Sequence, residues 1–91
     1  MDQDPVEYPI DGILDLHMFQ PGEVKSVLEE YLRECRRAGI LTVRIIHGKG
    51  SGTMRNLVQS YLKASPFVQE FSTAPDSSGW GATIAVLEPE K

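Results

Sequence analysis

The chain has 91 residues, room for one compact domain and not for a second core. At 41% hydrophobic and 24% charged residues it has the composition of a folded globular protein rather than a disordered one, and no apolar run approaches the roughly 18 residues that span a bilayer. Nine basic against thirteen acidic side chains leave a formal net charge of −4, which argues against a general polyanion binder, so any nucleic-acid site must be a local basic spot on an acidic body.

Residues 1–12 read as an extended lead-in. They carry Pro5, Pro9 and four acids, and the stretch Met1-Asp2-Gln3-Asp4-Pro5 has no apolar core of the kind a secretory signal needs. Val6, Tyr8 and Ile10 alternate within it and could lie against a sheet. Ile13 to His17 is a short apolar run bounded by Gly12 and by Gln20-Pro21-Gly22, which predicts a first strand. A helix follows, with Val24, Val27, Leu28, Tyr31, Leu32, Cys35 and Ala38 at spacings of three and four. Pro21 and Glu23 suit its first turn, Arg36 and Arg37 its last, and Gly39 its stop. Cys35 is the only cysteine. It falls on the helix stripe as a small apolar residue, has no partner for an internal disulfide, and suits a reducing cytoplasm.

Ile40 to Ile46 is rich in β-branched residues and predicts a second strand ending at His47-Gly48. The loop Gly48-Lys49-Gly50-Ser51-Gly52 leads into a second helix with Met54, Leu57, Val58, Tyr61 and Leu62 on one stripe, capped by Thr53 or Ser51 and ended by Ser65-Pro66. Val68 to Thr73 is a weaker strand, Pro75 to Gly81 a turn-rich connection, and Ala82 to Leu87 the last strand. The order βαβαββ predicts an α/β fold: a two-layer α/β sandwich, a four-stranded mixed sheet with two helices on one face, closed by an antiparallel hairpin. Residues 13–88 would form the domain and 89–91 a tail.

Ligands of open α/β sheets bind beyond the carboxyl ends of the parallel strands. The first strand ends in Asp15-Leu16-His17 and the second in His47 and the glycine loop. If the third strand runs parallel to both, its trailing loop with Gly79, Trp80 and Gly81 opens on the same edge. Glycines running into a helix N-terminus let a phosphate reach backbone N–H groups, and Lys49 adds a positive charge; the alternative is a plain strand-to-helix turn. The spacing is not that of a nucleotide-triphosphate loop. His17 suits a general base or acid, with Asp15 on the same face to orient it or to bind a divalent ion; each could instead serve the backbone as a strand-end hydrogen-bonding group. His47 has the same two readings. Trp80 could stack on a nucleobase or fold back over the sheet rim. Arg55 lies beside the glycine loop in the first turn of a helix, where a cation opposes the dipole, which suggests an anionic partner or a carboxylate such as Asp76. Arg44 could add to this basic set. Cys35, His17 and His47 lack zinc-ligand spacing, so no metal site is read from them.

Three ordered motifs, Leu14-Asp15-Leu16-His17, Ile46-His47-Gly48-Lys49-Gly50-Ser51-Gly52 and Gly79-Trp80-Gly81-Ala82-Thr83, resemble those of the Smr (small MutS-related) domain family. The likeness covers about residues 12–88. The first motif resembles the stand-alone form of the family, and the second is similar to the Smr domain at the C-terminus of bacterial MutS2 proteins. Met18 stands where a glycine usually follows the histidine, and Ser78 replaces the first glycine of a common pair. The resemblance implies a βαβαββ sandwich similar to the C-terminal domain of translation initiation factor three, nucleic-acid binding, and endonuclease activity on DNA or RNA, with links to DNA repair. By position, Asp15 and His17 match the first motif, His47, Gly48, Lys49 and Gly50 the second, and Gly79, Gly81, Ala82 and Thr83 the third.

Residues and resemblance together predict a cytoplasmic nucleic-acid-binding domain that cleaves or nicks its substrate weakly, without a membrane. Asp15, His17, His47 and Lys49 would form the catalytic set; Gly48, Lys49, Gly50, Ser51, Gly52, Arg55, Gly79, Trp80 and Gly81 would bind branched, structured or single-stranded nucleic acid. RNA could supply its own 2′-hydroxyl as nucleophile, whereas DNA would need water and a Mg2+ or Mn2+ ion on Asp15. The rival readings are a non-catalytic module for structured nucleic acid and a protein-interaction domain of repair- or ribosome-associated factors.

Overall fold

The computed structural model describes residues 10–48, 52–74 and 81–90. Strand β1 (Ile13–Asp15) leads through a single 3-10 turn (Pro21–Glu23) into helix α1 (Val24–Arg37), followed by β2 (Thr42–Ile46), α2 (Thr53–Ala64), β3 (Val68–Thr73) and β4 (Ala82–Leu87). The sheet order is β1-β2-β4-β3. β1 pairs with β2 in parallel, and β4 runs antiparallel to both β2 and β3. β3 therefore points the same way as β1 and β2, as expected, although β4 lies between it and β2.

Alternation along the strands decides which face is covered. Leu14, Val43, Ile45, Ala85 and Leu87 are buried in one core with Val24, Leu28, Tyr31, Leu32 and Cys35 of α1 and Val58 and Leu62 of α2. On the opposite face the cross-strand row Ile13, Arg44 and Ile84 is exposed or half-buried. Arg44 thus stands on the open face of the sheet and not at the strand ends where the anion site was expected. The Tyr31 hydroxyl joins α1 to β1, accepting the Gly12 N–H at 3.0 Å and donating to the Ile13 carbonyl at 3.2 Å. Burial pushes its pKa up to about 12, so it stays a neutral donor.

The structure corrects several expected boundaries. β1 stops at Asp15 rather than His17, because the Gly48 N–H that would have continued the ladder to the Leu16 carbonyl goes to Gly81, and the chain turns there, with the Phe19 N–H taking the Leu16 carbonyl at 2.9 Å. β2 starts at Thr42 rather than Ile40, because the Ile40 N–H turns back to the Cys35 carbonyl at 2.8 Å. Ala38 lies beyond α1 and is exposed. The N-cap of α2 is Gly52, at φ +87°, and not Thr53, which is the first residue of the helix, while Ser51 lies outside the described residues. Leu57 does not share the burial of Val58 and Leu62. It is 38% exposed and lines a cavity of about 310 Å³ between the helices, with Pro21, Val24, Lys25 and Tyr61. Among the described residues no helix is long and apolar enough to cross a membrane.

Candidate functional site

Parallel pairing of β1 with β2 brings their carboxyl ends to one edge. Asp15 lies opposite Ile46, and the Leu16 N–H still reaches the Ile46 carbonyl at 2.8 Å. β4 begins at the same edge, where the Gly81 carbonyl accepts both the His47 N–H at 2.8 Å and the Gly48 N–H at 2.9 Å. The ends of β1 and β2 and the start of β4 are thus tied directly to one another.

The Asp15 side chain folds over the end of its own strand. Its Oδ1 accepts the His17 backbone N–H at 3.0 Å and faces the His17 Nδ1 at 2.8 Å. The backbone donor, opposed by burial and helped by the imidazole, holds the carboxyl below its ordinary value. An ionised carboxylate can only accept, so Nδ1 carries the hydrogen and the neutral ring keeps its lone pair at Nε2. The two side chains are 67% and 49% exposed, His17 the more open, and among the described residues Nε2 has no hydrogen-bond partner. This is the geometry of a proton acceptor oriented by a carboxylate and open to a bound substrate.

His47 stands at the same edge with the opposite parity. It is 6% exposed, on the helix-covered side of the sheet. Its Nδ1 meets the Gly48 carbonyl at 3.1 Å and its Nε2 the Thr83 hydroxyl at 2.8 Å, while Gln59 of α2 donates from its amide to the same hydroxyl at 3.1 Å. Burial, aided by the Arg55 charge and opposed by the Gly48 carbonyl, lowers the pKa and favours the neutral ring. The edge therefore brings both histidines together, but only His17 is open to solvent.

The roots of the glycine loop are both left-handed: Gly48 at φ +81° and Gly52 at φ +87°, a conformation that costs side-chain-bearing residues about 1–2 kcal/mol. At Gly52 an added Cβ would lie 3.4 Å from Arg55 Nη2, so the guanidinium covers the first turn of α2, where an anion would enter. Lys49, Gly50, Ser51, Gly79 and Trp80 lie outside the described residues, as does Asp76, the carboxylate weighed as a partner for Arg55.

Thr83 falls in the third motif, but its partner His47 and the contribution of Gln59 do not follow from sequence spacing. A signal for Thr83 was present. It alternates with Ala85 and Leu87 on a strand whose other inward positions are apolar, and a polar group there needs a hydrogen-bond partner. Gln59 flanks the buried Val58 with no such mark.

No group of three His, Cys, Asp or Glu side chains that could hold a metal ion is found among the described residues. Asp15 offers one carboxylate whose Oδ1 already accepts two hydrogen bonds, so among the described residues its Oδ2 is the protein ligand that a Mg2+ or Mn2+ ion would find there, the rest of the shell falling to water or substrate phosphate.

A family model described as "Smr domain" matches residues 14–88. The Endonuclease MutS2 of Carboxydothermus hydrogenoformans is 41% identical over 76 residues, covering 82% of this chain and 10% of that protein. The ribosome rescue factor SmrB of Shewanella baltica is 35% identical over 81 residues, covering 89% of this chain and 46% of that protein. The crystal structure of the Smr domain of Thermus thermophilus MutS2 superposes with a TM-score of 0.80 at 32% identity, covering 85% of this chain and 98% of that one. The chain thus spans about a tenth of the length of the MutS2 relatives and about half that of SmrB.

Proposed function

Since the chain belongs to the Smr domain family, we propose that it binds nucleic acid at the edge where β1 and β2 end, and that His17 and Asp15 cleave a phosphodiester there. RNA is the substrate class that the described residues suit best. With Nδ1–H held by Asp15, the free Nε2 takes the proton of a ribose 2′-hydroxyl. The oxygen attacks the adjacent phosphorus, and the 5′-oxygen leaves with a proton from the imidazolium just formed or from water, giving a 2′,3′-cyclic phosphate. Gly48, Gly52, Arg55 and the intervening Lys49, Gly50 and Ser51 receive the phosphate and its growing charge. Gly81 lies at the same edge, and Gly79 and Trp80, which precede it in the sequence, are assigned to the base. No step of this route passes through a metal.

The observation that carries this reading is the Asp15–His17 pair: 2.8 Å apart, both exposed, with Nε2 unpartnered among the described residues. The names of the relatives, an endonuclease and a ribosome rescue factor, add that nucleic acid or ribosomes are the setting in which such domains occur. The test incubates the purified chain with labelled single-stranded RNA, duplex DNA and branched DNA, each with EDTA or manganese, beside His17→Ala. Cleavage of RNA in EDTA that His17→Ala loses supports the proposal. Cleavage of DNA alone and only with manganese overturns the RNA assignment, and binding without cleavage of any substrate leaves the non-catalytic module in its place.

A further inference from the structure

We propose that Gln59 and Thr83 are positioning residues that hold His47 in its Nδ1–H form and, through it, brace both roots of the glycine loop. The inference rests on the reading of that loop as the phosphate site and assigns His47 a different task from His17.

The direction of every hydrogen bond in the chain follows from one end. The Gly48 carbonyl can only accept, so the imidazole nitrogen facing it at 3.1 Å, Nδ1, is the one that bears hydrogen. In the neutral ring Nε2 then has a lone pair and must accept, and among the described residues the group it meets is the Thr83 hydroxyl at 2.8 Å. That hydroxyl spends its single hydrogen on His47, so its oxygen is free to accept, and the Gln59 amide donates to it at 3.1 Å. Each member fixes the next, and no member is left unsatisfied in a buried place, where an unmade hydrogen bond is costly.

The placement of the chain gives it a task. Gly48 is the first residue of the loop and Gly52 the N-cap of α2, while Gln59 sits on α2 about two turns further on. The relay runs from α2 through β4 to the end of β2, spanning the loop from outside. The loop roots are therefore not held by loop residues alone. The Gly48 carbonyl is tied to His47, the Gly48 N–H to Gly81, and α2 to Thr83. Among the described residues the groups facing His47 are the Gly48 carbonyl, which favours a proton on the ring, the Thr83 hydroxyl, and the charge of Arg55, which with burial opposes a second proton. The relay thus selects the neutral form on which its own geometry depends.

The relay can be reversed by one atom. In Gln59→Glu the carboxylate can only accept, so the Thr83 hydroxyl turns its hydrogen toward residue 59. Its oxygen then faces Nε2 as an acceptor, and with both nitrogens facing acceptors the ring is best satisfied as an imidazolium. The experiment records long-range proton–nitrogen correlations of the imidazoles in the 15N-labelled chain near neutral pH, together with the Gly48 and Gly52 amide resonances. The wild type should show His47 protonated at Nδ1 alone. Thr83→Val, which leaves the Gly48 carbonyl alone to favour hydrogen at Nδ1, should admit a fraction of the other neutral form and displace both glycine resonances, and Thr83→Ser should restore them. Gln59→Glu should raise the His47 titration midpoint. Binding of a short single-stranded oligouridine should weaken about two- to tenfold in Thr83→Val, the scale of one lost hydrogen bond, and recover in Thr83→Ser. Hydrogen at Nε2 in the wild type, or an unchanged His47 midpoint in Gln59→Glu, overturns the proposal. If the imidazole and glycine signals respond as stated while even the wild type fails to bind oligouridine, the brace stands and the RNA reading of the loop falls.

Discussion

His17 and His47 stand at the same edge of the sheet, each just past the end of one of two paired parallel strands, and their surroundings differ in nearly every respect. His17 continues the open-face parity of Asp15 and is exposed, with one nitrogen held by a carboxylate. His47 has the parity of Leu16 and is buried under the helices, with both nitrogens held. Under the roles proposed for them, two identical side chains become a proton acceptor and a structural clamp according to the face of the sheet each one meets. A histidine at a strand end is assigned a role by its partners and burial, and its position along the strand alone leaves both roles open.

Removing one histidine at a time breaks this comparison most sharply. His17→Ala should lower cleavage about 100- to 10,000-fold, the range of a general acid–base group, and leave the melting temperature nearly unchanged because the side chain makes no core contact. His47→Ala should instead destabilise the fold by about 1–3 kcal/mol, since it leaves Thr83 and Gln59 without their buried partner. Thermal melts and single-turnover cleavage on both variants check the crossover. Asp15→Asn removes the charge that orients His17 but keeps its shape. A charge-assisted hydrogen bond is worth about 1.5–3 kcal/mol, so the rate should fall roughly ten- to a hundredfold with substrate affinity little altered. Gly48→Ala should cost about 1–2 kcal/mol for the left-handed backbone alone, although an added Cβ would meet open space, a loss measurable by denaturant titration.

Acid should separate the two histidine environments in a smaller way. His47 has a lowered pKa, so as pH falls through 6.5, the ordinary value of a histidine, the unfolded chain binds a proton first and stability declines, levelling off below the native pKa. Asp15 has its pKa lowered from 3.8, so its contribution is fully present above that pH and is lost only at more acid values. Melting temperatures measured across this range should therefore fall in two separate windows. His47→Asn should abolish the upper one and leave the lower. Smallest of all, Leu57→Ala should cost less than about 1 kcal/mol, because a partly exposed leucine loses less than a buried one, whereas Val58→Ala next to it should cost more.

Much of this arrangement was legible in the sequence. The spacings of Leu28, Tyr31, Leu32 and Cys35, and the alternation of Thr83, Ala85 and Leu87 with Ile84 and Val86, mark the buried faces, and the bounds of β3 and β4 follow directly. The hidden parts depend on contacts between distant elements. Leu57 lies on the helical stripe by spacing, but the sheet lies beneath Val58 and Leu62, and only the packing of α1 against α2 shows that Leu57 faces the groove. The Asp15–His17 pair could be inferred from a spacing of two on a strand. The division of labour between the histidines could not, because it rests on Thr83, 36 residues from His47, and on Gln59 in the helix between them.

The most direct test of that division is to acylate the histidines with diethyl pyrocarbonate, following each peptide by mass spectrometry while residual RNA cleavage is measured on the same samples. His17 should be modified first, cleavage should decline in step with it, and His47 should stay unmodified until the chain is unfolded. Early modification of His47, or full cleavage by protein whose His17 is completely acylated, would contradict the account.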